Sequence, residues 1–245
     1  MFPVICQIGP LSIYSYGLML AVAVVLCSIL MAKDAKRLNI SKEEIHDFIF
    51  WVVVSGIVGA RLFFIILNLE FFLESPKEIV MLQHGGLAWQ GGLTLGSLGA
   101  FLFVRKKRWK FFEVADLAAP YLALGQSIGR IGCFLNGCCY GKEWPWGIYF
   151  PSHQAHLYPT QLFDSLGLFV VFLLLRSLSK KERIPGKIFV MYLWMAAALR
   201  FAVEFFRADH DNIFWGLSIY QLICLAIIVL GVYCNAQIYR HRRER

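Results

Sequence analysis

Apolar residues in this chain gather into seven long runs, separated by short polar and basic segments. Each run approaches the ~20 residues that a tilted helix needs to cross a bilayer, although the fifth run is somewhat short. The pattern therefore predicts an all-α integral membrane protein with seven transmembrane helices. The predicted helices cover residues 13–31, 48–67, 87–104, 116–134, 160–175, 188–205 and 215–233.

The composition agrees with a membrane protein and changes how the net charge is interpreted. Hydrophobic residues make up 58% of the chain and charged residues 16%, whereas soluble domains average about 25% charged residues. A net charge of +8 in a soluble protein would suggest a nucleic-acid partner. Here the basic residues lie beside apolar runs, so they indicate membrane orientation, and no nucleic acid is expected. We predict a single polytopic membrane domain over residues 1–245.

The distribution of basic residues predicts the orientation. Most of the 24 lysines and arginines follow the first, third, fifth and seventh runs, and loops rich in such residues stay cytoplasmic. The N-terminus is then outside and the C-terminus cytoplasmic, in a multi-pass protein of the bacterial cell inner (plasma) membrane. An outward-facing loop region around 136–159 contains the aromatic segment 144–150, which is typical of anchoring at the membrane interface.

Three arginines, Arg61, Arg130 and Arg200, lie inside the apolar runs. An arginine at the centre of a spanning helix costs about 2.5–3.5 kcal/mol on insertion scales, and it stays charged at physiological pH. Each should therefore face the protein interior or a wet cavity and contact an anion. For Arg130 that anion is either a ligand phosphate or a carboxylate that locks two helices, and Asp116 and Glu204 are the candidate carboxylates.

The sixth run carries a charged stripe. Arg200, Glu204 and Arg207 are spaced i, i+4 and i+7, so they share one helix face. They form either a ladder that Glu204 neutralises or part of an anion site. The ladder would still be net positive, so both readings hold at once.

The segment 84–93 carries two Gly-Gly pairs at the start of the third run. Free amides of Gly91 and Gly92 near a helix N-terminus suit phosphate oxygens, and a tight helix start without a ligand is the alternative. Tyr16 in the first run is either an interfacial residue or a ligand-binding residue.

The cysteines give no clear metal signature. There are seven, an odd number, and they lack the two-plus-two spacing of a zinc site. Cys133, Cys138 and Cys139 form the only close group, and a disulfide or simple packing is favoured over catalysis or metal binding. No metal and no cofactor are therefore expected.

Taken in order, the motifs resemble those of the bacterial prolipoprotein diacylglyceryl transferases. The segment Gly129-Arg130-Ile131-Gly132-Cys133-Phe134-Leu135-Asn136 is similar to the family signature Gly-Arg-x-Gly-Asn-Phe-x-Asn. The resemblance covers nearly the whole chain. Further matching segments are Ser15-Tyr16-Gly17-Leu18, Gly59-Ala60-Arg61-Leu62, the double Gly-Gly segment, Tyr158-Pro-Thr-Gln161-Leu162 and Arg200-Phe-x-x-Glu204-Phe-x-Arg207.

The resemblance implies a reaction and its partners. Family members move the diacylglyceryl group of phosphatidylglycerol to the lipobox cysteine of a preprolipoprotein signal peptide within the bilayer, and they release glycerol 1-phosphate. It also implies catalytic positions: Arg130 to hold the phosphate, Arg200 to neutralise the leaving group, and Gln90 at the place of a family histidine. Implied substrate-binding positions are Arg130, Tyr16, Arg61, Asn136, Glu204, Arg207, Gly91 and Gly92.

The chain departs from the family pattern at several positions. A glutamine such as Gln90 cannot act as a general base, and His84 lies about two helical turns away from it. Cys133 stands in the place of the signature asparagine. Cys138 stands where the family commonly has a carboxylate after the signature, and Asp164 stands where a glutamate is usual. Two alternatives follow: a diverged member with another acceptor, and a non-enzymatic lipid-binding membrane protein.

Overall fold

The computed structural model describes residues 1–8, 11–81, 85–182, 184–208, 212–214 and 216–243. Within these ranges the chain is mostly helical, with seven helices of at least 18 residues and one short helix. The helices are α1 Ser15–Asp34, α2 Lys42–Leu67, α3 Leu69–Glu74, α4 Trp89–Lys106, α5 Phe111–Asn136, α6 Thr160–Leu178, α7 Lys187–Glu204 and α8 Ile219–Arg243.

The seven long helices lie on the seven predicted runs, but several extend beyond them into polar sequence. Helix α2 begins six residues before its apolar run because Ser41 caps it. The Ser41 hydroxyl accepts a hydrogen bond from the backbone N–H of Glu44, and the Glu44 carboxylate accepts one from the N–H of Ser41, both at 3.2 Å. Such a reciprocal cap satisfies two N–H groups that the helix itself leaves unpaired.

Four helical segments in the described part of the chain are long and apolar enough to cross a bilayer: Ser15–Leu38, Lys42–Leu67, Thr160–Leu178 and Ile219–Gln237. Large apolar side chains on them face outward, and those of Phe50 and Ile66 on α2 are 61% and 67% exposed. Exposed apolar surface of this kind marks contact with lipid or with a partner. These helices indicate a membrane protein.

The prediction of an all-α fold is incomplete, because three antiparallel hairpins lie outside the helices. They pair β1 Val4–Ile8 with β2 Leu11–Tyr14, β3 Glu143–Phe150 with β4 Ala155–Leu157, and β5 Asn212–Phe214 with β6 Leu217–Ser218. Strands of two to eight residues give little periodic signal beside long apolar runs. The aromatic residues of β3 were assigned to interfacial anchoring, whereas Phe150 at its end is fully buried.

The chain divides into two compact units. The first contains residues 1–30 and 115–245, and the second contains residues 31–114. In the first unit the core lies along α5, where Ala119, Pro120 and Ala123 are fully buried. Helices α5 and α6 are joined by two serines: the Ser127 hydroxyl donates to the Ser165 carbonyl at 2.8 Å, and the Ser165 hydroxyl donates to the Ser127 carbonyl at 2.9 Å.

Asp116 near the start of α5 caps a neighbouring helix. Its carboxylate oxygens accept hydrogen bonds from the backbone N–H groups of Gly186 at 2.7 Å and Phe189 at 2.8 Å, at the N-terminus of α7. A carboxylate is stabilised there by the free N–H groups and the helix dipole. Its interpretation as a partner of Arg130 is therefore wrong.

The second unit is built around the close crossing of α2 and α4. Glycines from both helices line the crossing, and a Cβ built at Gly91 would overlap the carbonyl oxygen of Gly59 and the Cβ of Phe63. Small residues at such crossings allow two backbones to approach closely in a membrane. Gly91 is therefore required by helix packing, whichever ligand the unit binds.

We expect Gly91→Ala to destabilise the protein by about 1–3 kcal/mol, because the added methyl group forces α2 and α4 apart. Thermal unfolding in detergent micelles measures the effect. The matched control is Gly92→Ala one residue further, where the new Cβ would meet its nearest neighbours, the Gly56 oxygen and the Ala60 Cβ, at 3.4 and 3.5 Å. Equal stability of the two variants would contradict the packing role.

Candidate active site

Arg130 is paired with a carboxylate on the next helix. Its Nε lies 3.2 Å from Oδ2 of Asp164 on α6, and the Asp164 side chain is only 3% exposed while that of Arg130 is 25% exposed. The carboxylate that locks two helices is therefore neither of the two predicted candidates. A guanidinium has five N–H donors, so pairing through Nε leaves a partly exposed cation that can hold a further anion.

Glu204 at the end of α7 joins the second basic group. Its Oε2 lies 2.6 Å from Nη2 of Arg200 and 3.8 Å from Nε of Arg207. Its Oε1 accepts a hydrogen bond of 2.7 Å from the Ser218 hydroxyl, which fixes the carboxylate from the other side. The two ion pairs predicted from the spacing are thus present, but α7 ends at Glu204, so Arg207 lies beyond the helix and not on its face. The Glu204 side chain is 2% exposed.

Arg200 keeps donor capacity beyond this pair. Its guanidinium carbon lies 5.5 Å from the centre of the Tyr220 ring, a favourable cation–π arrangement. Its Nη1 is buried and finds no hydrogen-bond acceptor in the described part of the chain. A buried donor without a partner is costly, about 1–3 kcal/mol, so a bound anion at this atom would be stabilising.

The two charged groups belong to one electrostatic cluster. The carboxylate of Asp164 lies within interaction range of Arg130, Arg200 and Arg207 and also of Cys139. Helices α5, α6 and α7 supply Arg130, Asp164 and Arg200, while Cys139 and Arg207 lie just beyond the ends of α5 and α7. The fold therefore gathers residues that are 77 positions apart in sequence, from 130 to 207.

The three cysteines that follow Arg130 converge beside the arginines. The sulfur atoms of Cys133, Cys138 and Cys139 all lie within 4.8 Å of one another, and all three thiols are free. Cys133 belongs to α5, and the chain reverses just beyond the helix, with Gly137 at φ +80° and Cys139 at φ +63°. Gly137 supplies the left-handed conformation that ends many helices.

Buried side chains of α6 hold this cysteine loop. The Gln161 amide donates to the Cys138 carbonyl at 2.7 Å, and the Thr160 hydroxyl donates to the Cys139 carbonyl at 2.8 Å. Gln161 and Thr160 are 1% and 0% exposed. The Gln161 Oε1 is buried and has no hydrogen-bond partner among the described residues.

Arg207 connects the arginine cluster with the cysteines. Hydrogen bonds from the thiols of Cys133 and Cys138, and then one from Arg207, hold the pKa of the Cys139 thiol below its usual range. The backbone fixes the same contact, because Lys142 donates to the carbonyl of Phe206 at 2.8 Å. The outward loop predicted around 136–159 is thus joined to the end of α7.

Tyr16 and Asn136 lie at the same end of the first unit. The Tyr16 side chain crosses Gly132, where a Cβ would come within 3.2 Å of the tyrosine ring. Tyr16 is within electrostatic range of Arg130 and of the three cysteines. Asn136, the last residue of α5, is exposed, and its side chain interacts with Cys138.

An apolar groove of about 500 Å³ runs between α1, α5 and α6. Ile131, the residue after Arg130, lines it, as do Leu162 and Leu26. The two serines that join α5 and α6 form its polar part. Ile131 and Ser165 directly follow Arg130 and Asp164 in sequence, so the groove lies along the two helices that carry this ion pair.

Arg61 in the second unit has a different environment. Its guanidinium lies 5.3 Å from the centre of the Phe72 ring, and the side chain is buried. Backbone carbonyls of the segment before α4 take its hydrogen bonds, which supports a role in fixing that segment. These carbonyls belong to Glu78, Ile79 at 3.1 Å, Met81 at 3.4 Å, Gly85 at 2.6 Å and Gly86 at 2.9 Å.

Gln90, Gly91 and Gly92 lie in the first turn of α4, in the second unit. The Gln90 side chain is exposed, and its backbone carbonyl accepts from the Thr94 hydroxyl at 2.7 Å. The two glycines pack against α2, which favours the tight helix start over an anion site. His84, the suggested substitute base, lies outside the described residues.

Gln161 and Asp164 were named only as motif positions, and the role of the α6 residues in positioning the cluster was not predicted. Thr160, Gln161, Asp164 and Ser165 form a polar stripe at i, i+1, i+4 and i+5 on the otherwise apolar α6, and all four are buried. That spacing was a usable signal, because polar residues inside a membrane helix face the protein interior. Ser218 lies inside the seventh predicted run, and its distance in sequence from Glu204 gave no such signal.

Comparison with known proteins identifies the family of this chain. The family model described as prolipoprotein diacylglyceryl transferase matches residues 3–236. A phosphatidylglycerol–prolipoprotein diacylglyceryl transferase of Clostridium tetani is 33% identical over 240 residues, covering 95% of this chain and 96% of that protein. Proteins of the same name are 37% identical in Finegoldia magna, over 89% and 88% of the two chains, and 34% identical in Trichormus variabilis, over 98% and 91%.

The matches span nearly the full length of both chains, so they include every element that carries the arginine cluster. The segment around Arg130 and the ladder at Glu204 both fall within the matched residues. The chain belongs to the prolipoprotein diacylglyceryl transferase family.

Proposed function

We propose that this protein transfers the diacylglyceryl group of phosphatidylglycerol to the lipobox cysteine thiol of preprolipoproteins and releases glycerol 1-phosphate. The names of its relatives pair phosphatidylglycerol with prolipoprotein as substrates. The observation that carries the proposal is the arginine cluster on helices that also line an apolar groove. Arg130 is partly exposed, and Arg200 has an unpaired buried donor.

The proposed chemistry needs fixed cations at one place. The thiolate of the acceptor attacks the glyceryl carbon, a C–S bond forms, and the C–O bond to the phosphate breaks. Negative charge then develops on the departing phosphate, and preorganised donors there lower the barrier. Arg130 is proposed to hold the phosphate in both lipid and transition state, with Asp164 keeping its guanidinium in place.

Arg200 is proposed to neutralise the charge that the leaving phosphate gains. Glu204 and Arg207 orient it, because one carboxylate oxygen contacts both arginines. Tyr16 and Asn136 remain proposed substrate-binding residues at the rim of the cluster. The groove between α1, α5 and α6 suits the acyl chains, since its wall is almost entirely apolar.

For the predicted residues of the second unit, the proposal rests on the motif resemblance. The exposed amide of Gln90 can donate and accept hydrogen bonds toward a substrate, but it cannot take a proton. Arg61, Gly91 and Gly92 are assigned to packing and positioning, in place of the direct substrate contacts expected from sequence.

We further propose seven membrane spans in the bacterial inner membrane, with the N-terminus outside and the loop around 136–159 facing outward. The seven long helices and the alternating basic clusters support this topology. The arginine cluster would then lie near the outer leaflet, where signal peptides emerge.

The topology predicts opposite behaviour of reporters at the two ends of the chain. A green fluorescent protein fused after residue 245 should fluoresce, and alkaline phosphatase at the same site should be inactive, because the first folds in the cytoplasm and the second outside it. Both reporters placed before Met1 should behave in reverse. Phosphatase activity at the C-terminus would contradict the topology.

Arg130→Ala should lower kcat/KM for transfer by about 10²–10³, the usual loss when one preorganised donor to a developing anion is removed. The assay uses the full chain in phosphatidylglycerol vesicles with a lipobox peptide, and it measures glycerol phosphate release and the mass of the peptide. The control is Arg105→Ala, which removes an exposed arginine at the end of α4 and should leave the rate unchanged.

The same assay separates the two alternatives. Lipid binding without glycerol phosphate release would indicate a non-enzymatic lipid-binding protein. Release that occurs with other thiols but not with the lipobox peptide would indicate a diverged acceptor. Full activity of Arg130→Ala would contradict the proposed phosphate site.

Asp164→Asn should raise KM for phosphatidylglycerol and lower kcat/KM about tenfold, less than Arg130→Ala, because Arg130 keeps its charge and loses its charge-assisted partner. Asp164→Glu keeps the carboxylate and should restore most of the activity. A lipid concentration series gives the KM and kcat of each variant. Equal losses in the Asn and Glu variants, with lowered thermal stability, would indicate a purely structural role.

A further inference from the structure

The cysteine cluster is the feature that the proposed reaction does not use. Three free thiols from Cys133, Cys138 and Cys139 converge within 4.8 Å, next to the arginines proposed to bind the phosphate. A reaction that alkylates a thiol needs that thiol as a thiolate, and the side chain at position 90 cannot act as a base. The proposed reaction therefore leaves the group that activates the acceptor thiol unassigned.

We infer that Cys133, Cys138 and Cys139 bind one zinc ion whose fourth position takes the acceptor thiol. This inference rests on the proposed transfer reaction and deepens it. Zinc binds thiolates at about 2.3 Å in a tetrahedron, which places neighbouring sulfurs about 3.8 Å apart. The observed sulfurs need to move by no more than about 1 Å to reach that arrangement.

The number of ligands decides the type of site. Structural zinc sites are closed by four protein ligands, whereas catalytic sites have three and keep one position open. Within the described residues, the cluster offers three sulfur ligands. The fourth position is therefore available to a substrate, and a soft thiol is the ligand that a zinc thiolate site prefers.

The surroundings hold the ligands in place from outside. Gln161 and Thr160 donate to the carbonyls of Cys138 and Cys139, so the backbone from which the two sulfurs project is held in one position. Three thiolates and one zinc ion carry one negative charge in total. Arg207, whose side chain is 4% exposed, contacts Cys139 and offsets that charge.

The reaction step balances without a further reactant. The acceptor thiol binds zinc and loses its proton to solvent, as thiols do on coordination. Its sulfur then forms the C–S bond to the glyceryl carbon, and the electron pair of the broken C–O bond leaves with the phosphate. The product is a neutral thioether, a weak ligand, so it dissociates from zinc and reopens the position.

The test begins with metal content. The full chain, purified in detergent after growth with zinc, should contain about one zinc per chain by plasma mass spectrometry. Cys138→Ser and Cys139→Ser should each hold at least about fivefold less, because a three-ligand site loses a ligand. Cys6→Ser is the matched control, since Cys6 is an exposed cysteine in β1, and it should retain the metal.

Cobalt substitution tests the open position without relying on activity. Cobalt bound to three thiolates should absorb in the visible range, and the spectrum should change when a lipobox peptide is added. A peptide with serine in place of the lipobox cysteine should leave it unchanged. A cobalt spectrum that stays unchanged when the cysteine peptide is added would overturn the proposal that the acceptor thiol binds the metal.

The outcomes separate this inference from the proposed function. Transfer activity in a zinc-free protein, with Cys138→Ser as active as wild type, would overturn the metal site and leave the function standing. A disulfide between two of the cysteines, or bound copper in place of zinc, would also overturn it. One zinc per chain, together with a cobalt spectrum that changes with the cysteine peptide, would support the site. If no diacylglyceryl transfer occurred in the same protein, the proposed function would be contradicted.

Discussion

The charge of a guanidinium inside an apolar helix bundle is the constraint on which the rest of this structure depends. Each arginine in an apolar run must have compensating partners, since an unpaired one in a membrane costs several kcal/mol. Arg130 is compensated by one carboxylate on a neighbouring helix, and Arg200 shares Glu204 with Arg207. Arg61 is compensated by backbone carbonyls. These three solutions have different consequences for function.

A carboxylate partner leaves an arginine able to bind a second anion, whereas a shell of five carbonyls uses its donors completely. This difference separates Arg130 and Arg200 from Arg61, although all three looked alike as charges in apolar runs. The fold increases this difference between the arginines. A quarter of the Arg130 side chain is exposed, and Nη1 of Arg200 has no hydrogen-bond acceptor among the described residues. Fixed cations on the same helices as an apolar groove are the combination that an amphipathic lipid needs.

The non-helical segments bring the cysteines close to the arginine cluster. The reversal at Gly137 turns two cysteines back toward the end of α5, and the strand-like contacts near Lys142 tie the loop to Arg207. Polar residues of α6 then hold the cysteine loop by hydrogen bonds to its backbone carbonyls. Because buried polar groups must be hydrogen-bonded, Thr160 and Gln161 specify one position for the cysteines.

The sequence alone determined the seven helices, the three arginines inside apolar runs, the ion pairs at the end of α7 and the family, because these follow from local periodicity and contiguous motifs. It left open the partner of Arg130, since a contact between α5 and α6 has no local spacing rule. It also gave no geometry for the cysteines, because their spacing of five and one is uninformative until the chain reverses. The hairpins, the packing role of Gly91 and the convergence of three sulfurs were decided by tertiary structure, because each depends on backbone paths that bring distant or reversed segments within contact distance.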